Sequence, residues 1–350
     1  MNISVFEHPW LSGLFGDPAM ANILSANNQM AHMLAFEAAW SRACGRVGLF
    51  DLVKAEEAAL AIEDAKIDLN DIAVGMGQDG VPVPRLVAQL RTITGSEAIH
   101  IGATSQDVVD TALVMTLRDV SDLISQRLVD VINSLETLDR RFGNKTLMAR
   151  TRMQAAVEIT VHDRIRTWRE PLQSHIDRLT ALRPKMEKVQ IGGAVGNRSA
   201  LGDHAEVVVA DVAEMLNLTT SDGAWHSARD SITEYASFLS LVTGSTGKIG
   251  QDIALMAQQD IGEIVLSGGG KSSAMPHKKN PVLAELLVTL ARFNATQVSA
   301  MHHTMIHEQE RSGAAWSLEW MVLPQMAMAT GRSLSIAAEL SRGIEQLGSE

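Results

Sequence analysis

The sequence predicts an all-α protein: a bundle of long helices preceded by a smaller helical domain. Three observations carry that prediction. Apolar residues make up 46% of the 350 residues but aromatics only 4%, so Ala, Leu and Met supply most of the core, and these favour helix over sheet. Proline is absent between Pro84 and Pro171, which leaves room for an unbroken long helix. Apolar residues also recur with helical spacing, as in Met30, Met33, Leu34, Phe36, Ala39 and Trp40.

Taken in order, residues 1–98 read as an N-terminal helical domain, in which short helical patterns alternate with breaks. Pro9, Gly13, Gly16 and Pro18 punctuate its start, and the stripe above predicts a helix over 22–47. GMGQDGVPVPRL, from Gly75, has the turn chemistry of a loop, and Pro84 opens another short helix. Residues 99–350 read as the long-helix domain. A helix capped by Ser105 or Asp107 runs to about 142. Others are expected over 155–188, 226–260 and 281–311, the last begun by Pro281. Gly244, Gly247 and Gly250 mark a bend or a close packing inside the third. Consecutive long helices make a bundle. Their apolar stripes exceed what one bundle covers, so self-association with closed symmetry is expected.

The net charge of −11 disfavours nucleic acid and anionic membranes as partners. It also means that a polyanionic substrate has to be met by a local concentration of positive charge. The single cysteine, Cys44, excludes an intramolecular disulfide and suits a reducing compartment, as a small buried apolar residue. The N-terminus MNISVFEHPW lacks the regions of a secretory signal, and no stretch is long and apolar enough to span a membrane. The expectation is a soluble, cytoplasmic protein.

Chemistry concentrates in four places. Residues 268–281 read GGGKSSAMPHKKNP, a polar, glycine-rich loop in a chain of helix formers. Gly268, Gly269 and Gly270 give it freedom, and its consecutive N–H groups suit an anion. Ser272 and Ser273 are candidate proton carriers, Lys278 a fixed cation and Asn280 a two-sided hydrogen bonder. Lys271 and Lys279 add positive charge. Residues 100–112, HIGATSQDVVDTA, set Thr104 and Ser105 at a strong helix start, where hydroxyls and free amides suit a carboxylate. In ARTRMQAA, 149–156, Arg152 is always charged and can grip a carboxylate at two points. In GAWHSARD, His226 and Arg229 stand three apart, the spacing of one helix face. His303 and His307, with Glu308, lack a third metal ligand, and GGAVG at Gly192 reads as a loop separating helices.

SSAMPHKKNP resembles the signature loop GSSxMPxKxNP of the fumarase/aspartase superfamily, with Lys271 where a glycine is usual. HIGATSQD resembles the HxGxTSxD region of adenylosuccinate lyases and carboxymuconate cycloisomerases, and puts His100 on that motif's histidine. ARTRMQ resembles RTHxQ, with Arg152 replacing the histidine and Gln154 kept. The 223–249 and 307–320 stretches resemble cycloisomerase segments, and Arg311 and Trp316 match there. The resemblance implies a fumarase/aspartase-like fold whose central helices form a homotetramer core, with composite active sites drawn from three subunits. A third, C-terminal helical domain is common in the family and is expected to be absent here. It further implies cycloisomerisation of a carboxymuconate without metal or organic cofactor. Ser272 or Ser273, His100 and His226 are the catalytic candidates. Thr104, Ser105, Arg152, Gln154, Arg229, Lys278, Asn280 and Arg311 are the substrate-binding ones. The alternatives are an adenylosuccinate-type elimination lyase and a catalytically silent helical scaffold.

Overall fold

The structure is a computed structural model that describes residues 3–96, 99–271, 273–275 and 278–349. Two short helices open it, α1 (Ser12–Phe15) and α2 (Pro18–Ile23). Asp17 caps α2 by accepting from Met20 N–H at 3.0 Å, and it also takes the guanidinium of Arg127. Arg127 donates onward to Gly331 O at 2.8 Å, which ties the start of the chain to the bundle. α3 (Ala26–Arg46) follows where 22–47 was expected, with Ser25 as its cap. α4 (Leu52–Glu63), α5 (Leu69–Asp79) and α6 (Val83–Thr94) complete the first helical layer. Left-handed Gly80 and Gly95 end the last two.

α7 (Ser105–Phe142) has 38 residues, so it runs roughly 57 Å at 1.5 Å per residue. Its cap is Thr104, not Ser105 or Asp107. Thr104 has the extended backbone that a cap needs, while Asp107 sits three residues on and closes a capping box.

Next, the predicted helix over 155–188 is only partly present. An antiparallel hairpin, β1 (Thr146–Thr151) and β2 (Gln154–Thr160), occupies its start, and α8 begins later (Val161–Met186). Val157, Ile159 and Thr160 are β-branched and favour strand, and Thr160 with Asp163 forms the box that starts α8.

The remaining elements are α9 (Ala205–Leu216), α10 (Asp230–Met256), β3 (Ile264–Leu266), β4 (Gly270–Lys271), β5 (Lys279–Asn280), α11 (Val282–His303), α12 (Ala314–Arg342) and β6 (Ile344–Leu347). α11 stops eight residues short of the predicted end, which frees Arg311 from any helix. Gly247 and Gly250 are packing glycines. A Cβ on Gly247 would lie 2.5 Å from Ala291 Cβ, and one on Gly250 2.5 Å from Ala284 O, so α10 and α11 meet backbone to backbone.

Two hydrophobic cores result. The larger joins α7, α8, α10, α11 and α12 through residues such as Leu128, Trp168, Leu239, Leu287 and Leu334. The smaller gathers Phe36, Trp40, Ile62, Leu86 and Val212, but it also takes Val108 and Ala112 from the start of α7. The N-terminus of α7 therefore lies at the seam between the cores. At the opposite end of the bundle, β3 pairs with β6, and Thr146 bridges Ser349. The hairpin gathers there with 264–271 and the described residues of 273–281. Among the described residues no helix is long and apolar enough to cross a membrane.

Candidate active site

At the seam the organising group is Asp107, fully buried in the first turn of α7. Its Oδ2 accepts from Thr104 N–H at 3.0 Å and Gly193 N–H at 2.9 Å. Its Oδ1 accepts from Gly192 N–H at 2.9 Å and His226 Nε2–H at 2.8 Å. Four donors saturate this carboxylate, so it shapes the site rather than meeting a ligand. Gly192 has to be glycine, because a Cβ there would lie 2.5 Å from Ala224 Cβ. The GGAVG loop, read from sequence as a mere separator, thus supplies two amides that hold the α7 terminus.

One turn along α7, Asp110 forms a second buried cluster. Arg229 donates to Asp110 through Nη1 (2.6 Å) and Nη2 (3.1 Å), and to Glu319 through Nη2 (2.5 Å) and Nε (3.1 Å). Trp316 Nε1–H adds a bond to Asp110 at 3.0 Å, and the guanidinium lies over the Trp225 ring. Burial works against the Arg229 charge, but Asp110 and Glu319 outweigh it and push its pKa up. Burial likewise pushes the Glu319 carboxyl above the ordinary range despite the pull of Arg229.

These contacts correct two expectations. His226 and Arg229 do not share a helix face, since α10 begins only at Asp230. They straddle an irregular turn, one reaching Asp107 and the other Asp110. His226 is 2% exposed and Arg229 1%. Neither presents itself to a substrate: the first braces Asp107, and the second is fully engaged by two carboxylates.

The open face of the seam belongs to Thr104, Ser105, Arg311 and His100. Arg311 donates to Thr104 Oγ1 at 3.1 Å and to Ala194 O at 3.2 Å. Because Thr104 Oγ1 accepts there, its own hydrogen is left to donate outward. A hydroxyl donor, a guanidinium and the unpaired amides of a helix start make an anion site. His100 stands four residues before Thr104 in the preceding loop, its Nδ1 2.7 Å from Glu37 Oε1.

The other predicted residues lie at the far end. Ser267 N–H donates to Gly343 O, just beyond α12. α12 has 29 residues and starts beside Trp316, so the described loop residues next to Gly343 lie roughly 40 Å from the Trp316 end of the bundle. Lys278, Lys279 and Ser273 are exposed there, and Asn280 is half-buried. Ser272 lies outside the described residues. Arg152 sits in the hairpin tip and Gln154 follows it, and both are exposed.

That tip is strained. Arg152 and Met153 both hold left-handed backbone, φ 50° and 68°, in a two-residue turn that favours Asn-Gly. An R152N/M153G variant is expected to gain about 1–2 kcal/mol of stability from the relieved turn. The same variant should lose turnover. Thermal melts and an activity assay on one preparation check both, and unchanged turnover would remove Arg152 from the site.

Residues 11–298 match the protein family described as Lyase. The chain belongs to this family, within the fumarase/aspartase superfamily. A 3-carboxy-cis,cis-muconate cycloisomerase of Pseudomonas putida is 36% identical over 341 residues, covering 95% of this chain and 81% of the relative. The crystal structure of the 3-carboxy-cis,cis-muconate lactonizing enzyme from Pseudomonas putida superposes with a TM-score of 0.90 at 35% identity, covering 96% of this chain and 77% of that one. Trans-aconitate decarboxylase 1 of Mycosarcoma maydis is 33% identical, covering 96% of this chain and 69% of the relative.

For this lyase-family chain, sequence reasoning missed Asp107, Asp110, Glu319 and Glu37 as parts of the site. A signal existed for three of them. Asp107 stands three residues after Thr104, which is the spacing of a capping box. Asp110 repeats that interval on the same face of α7. Glu37 interrupts an otherwise apolar stripe between Phe36 and Trp40. Glu319 lies in the 307–320 stretch that resembles a cycloisomerase segment, but its burial against Arg229 has no local sign.

Proposed function

We propose that this chain is a 3-carboxy-cis,cis-muconate cycloisomerase, acting on a small tricarboxylate. The observation that carries the reading is the Arg311–Thr104 pair at the start of α7, a donor cluster suited to a substrate carboxylate. One substrate carboxylate attacks a carbon of the conjugated double bond, forming the lactone C–O bond. The π electrons move to the neighbouring carbon and delocalise into the carboxylate it bears. That aci-carboxylate then takes a proton from Ser272, or from Ser273 if the loop register differs. Loop amides and Lys278 hold the serine oxygen's charge until solvent reprotonates it. Thr104, Ser105, Lys278, Asn280, Arg152, Gln154 and Arg311 grip the carboxylates, and much of the rate comes from folding the diene into reactive shape. The scheme uses no metal or organic cofactor.

The distance between the two ends of one chain supports a site shared among copies. Antiparallel association would set the Thr104 end of one subunit against the hairpin and signature loop of others, and a closed homotetramer does this with equivalent sites. The strained hairpin tip, with Met153 72% exposed beside Arg152, suits insertion into a neighbour.

The test is direct. Purified protein mixed with 3-carboxy-cis,cis-muconate should bleach the conjugated diene in the ultraviolet and give the lactone by NMR. Thr104→Val should lower turnover at least about 100-fold, as expected when a positioned hydroxyl donor is lost. A folded oligomer that leaves the diene intact but releases fumarate from adenylosuccinate would replace this reading with the elimination lyase.

A further inference from the structure

The loop that carries His100 is fastened by three side chains at three consecutive residues. Arg91 donates to Ile99 O at 3.3 Å, Glu37 meets the His100 ring, and Trp40 Nε1–H donates to Ile101 O at 3.0 Å. Two of the three, Glu37 and Trp40, stand one turn apart on α3. Together they hold His100 at φ 62°, a backbone region that residues with a side chain rarely occupy.

Glu37 is an unusual anchor. It is fully buried among apolar residues, and its Oε2 has no hydrogen-bond partner among the described residues. A buried carboxylate with one partner is costly, and a neutral glutamine would fasten the loop at less expense. What the carboxylate adds is charge. It makes Nδ1 the protonated nitrogen of the neutral ring and favours the doubly protonated imidazolium. His100 Nε2 meets no described partner, and the side chain keeps 14% of its surface exposed. Among the described residues three charged groups act on the ring: Glu37 from α3, Asp107 from α7 and Arg91 from α6. Burial and Arg91 oppose protonation, but Glu37 and Asp107 outweigh them, and the His100 pKa is raised.

We propose that Glu37 is a positioning residue for substrate binding: it fixes the His100 ring through Nδ1–H and maintains the His100 imidazolium as a second cation, beside Arg311, for one substrate carboxylate. This rests on the tricarboxylate reading above. Such a substrate brings three carboxylates to a chain whose net charge is −11, so a second cation at the seam favours its binding alongside Arg311, Lys278 and Arg152.

Two measurements test it. Imidazole NMR of the whole protein, with His100 assigned by its loss in His100→Gln, gives the ring's tautomer and midpoint without any substrate. The native ring should keep Nδ1–H when it deprotonates. In Glu37→Gln the midpoint should fall by about one pH unit or more, and Glu37→Asp should restore part of it. In steady-state kinetics, KM for carboxymuconate should climb up to about tenfold per pH unit above the His100 midpoint while kcat changes less. Glu37→Gln should move that climb to lower pH. An Nε2–H tautomer, a midpoint indifferent to Glu37→Gln, or a KM profile that stays in place would overturn the proposal. If Glu37→Gln does not fold, the tautomer and midpoint of the native ring decide. If the protein does not lactonize carboxymuconate, the function reading fails, while the NMR arm still judges the Glu37–His100 pair.

Discussion

Arg229→Met is expected to lower folding stability by about 3–5 kcal/mol, because it strands two buried carboxylates. Asp110 and Glu319 share this one guanidinium, and both carboxylates are essentially inaccessible to solvent. Methionine fills much of the space but supplies no donor. Asp110 keeps Trp316 on one oxygen and the amides of Gln106 and Gln190 on the other but loses its counter-charge, whereas Glu319 loses the partner of both its oxygens. The pH dependence follows from the same desolvation. Without Arg229 the folded-state pKa of Glu319, already raised by burial, rises further above its unfolded value, so the folded form holds more protons. The variant's stability then falls as pH rises between those values, and its deficit narrows as pH drops toward the ordinary carboxylate range. Urea unfolding at several pH values measures this. Adding Asp110→Asn and Glu319→Gln should recover part of the loss by removing the unpaired charges. A deficit below about 1 kcal/mol at neutral pH would mean that the cluster is hydrated rather than buried.

The second large effect is restoration of activity on mixing two damaged subunits. Thr104→Val impairs the seam and Lys278→Ala the signature loop, which α12 holds roughly 40 Å apart within one chain. Each variant alone should lose most of its turnover. Co-expressed or co-refolded as mixed oligomers, they should regain activity at roughly a quarter of the sites, those that draw an intact seam from one chain and an intact loop from another. A site built within a single chain would gain nothing from mixing. The readout is carboxymuconate turnover of the isolated hybrid beside each parent. The absence of any gain in verified hybrids would end the composite-site proposal.

Much of this was legible in the chain because it depends on neighbours in sequence. The all-α architecture follows from composition and the proline-free run, and α3, α7 and α10 fall close to their predicted spans. Thr104 and Ser105 stand out in the sequence because a helix start advertises itself locally. The hairpin was not, since its Arg-Met turn lacks Asn-Gly chemistry and Ala155 and Ala156 read as helix formers.

The sequence by itself determined the helical class and the family, and it singled out the polar loops proposed to carry the chemistry; these are properties of short strings and their periodicity. Only the tertiary structure decided what those residues face. Spacing put His226 and Arg229 on one helix face and the family resemblance gave them site roles, but packing turned them inward onto Asp107 and Asp110, since the start of α7 is buried between two cores and its carboxylates need partners. Packing also joined Glu37 to His100 across 63 residues, and Arg311 to Thr104 across 207. Such pairings have no local signature. They exist because burial concentrates charge at the few places where donors from distant elements converge.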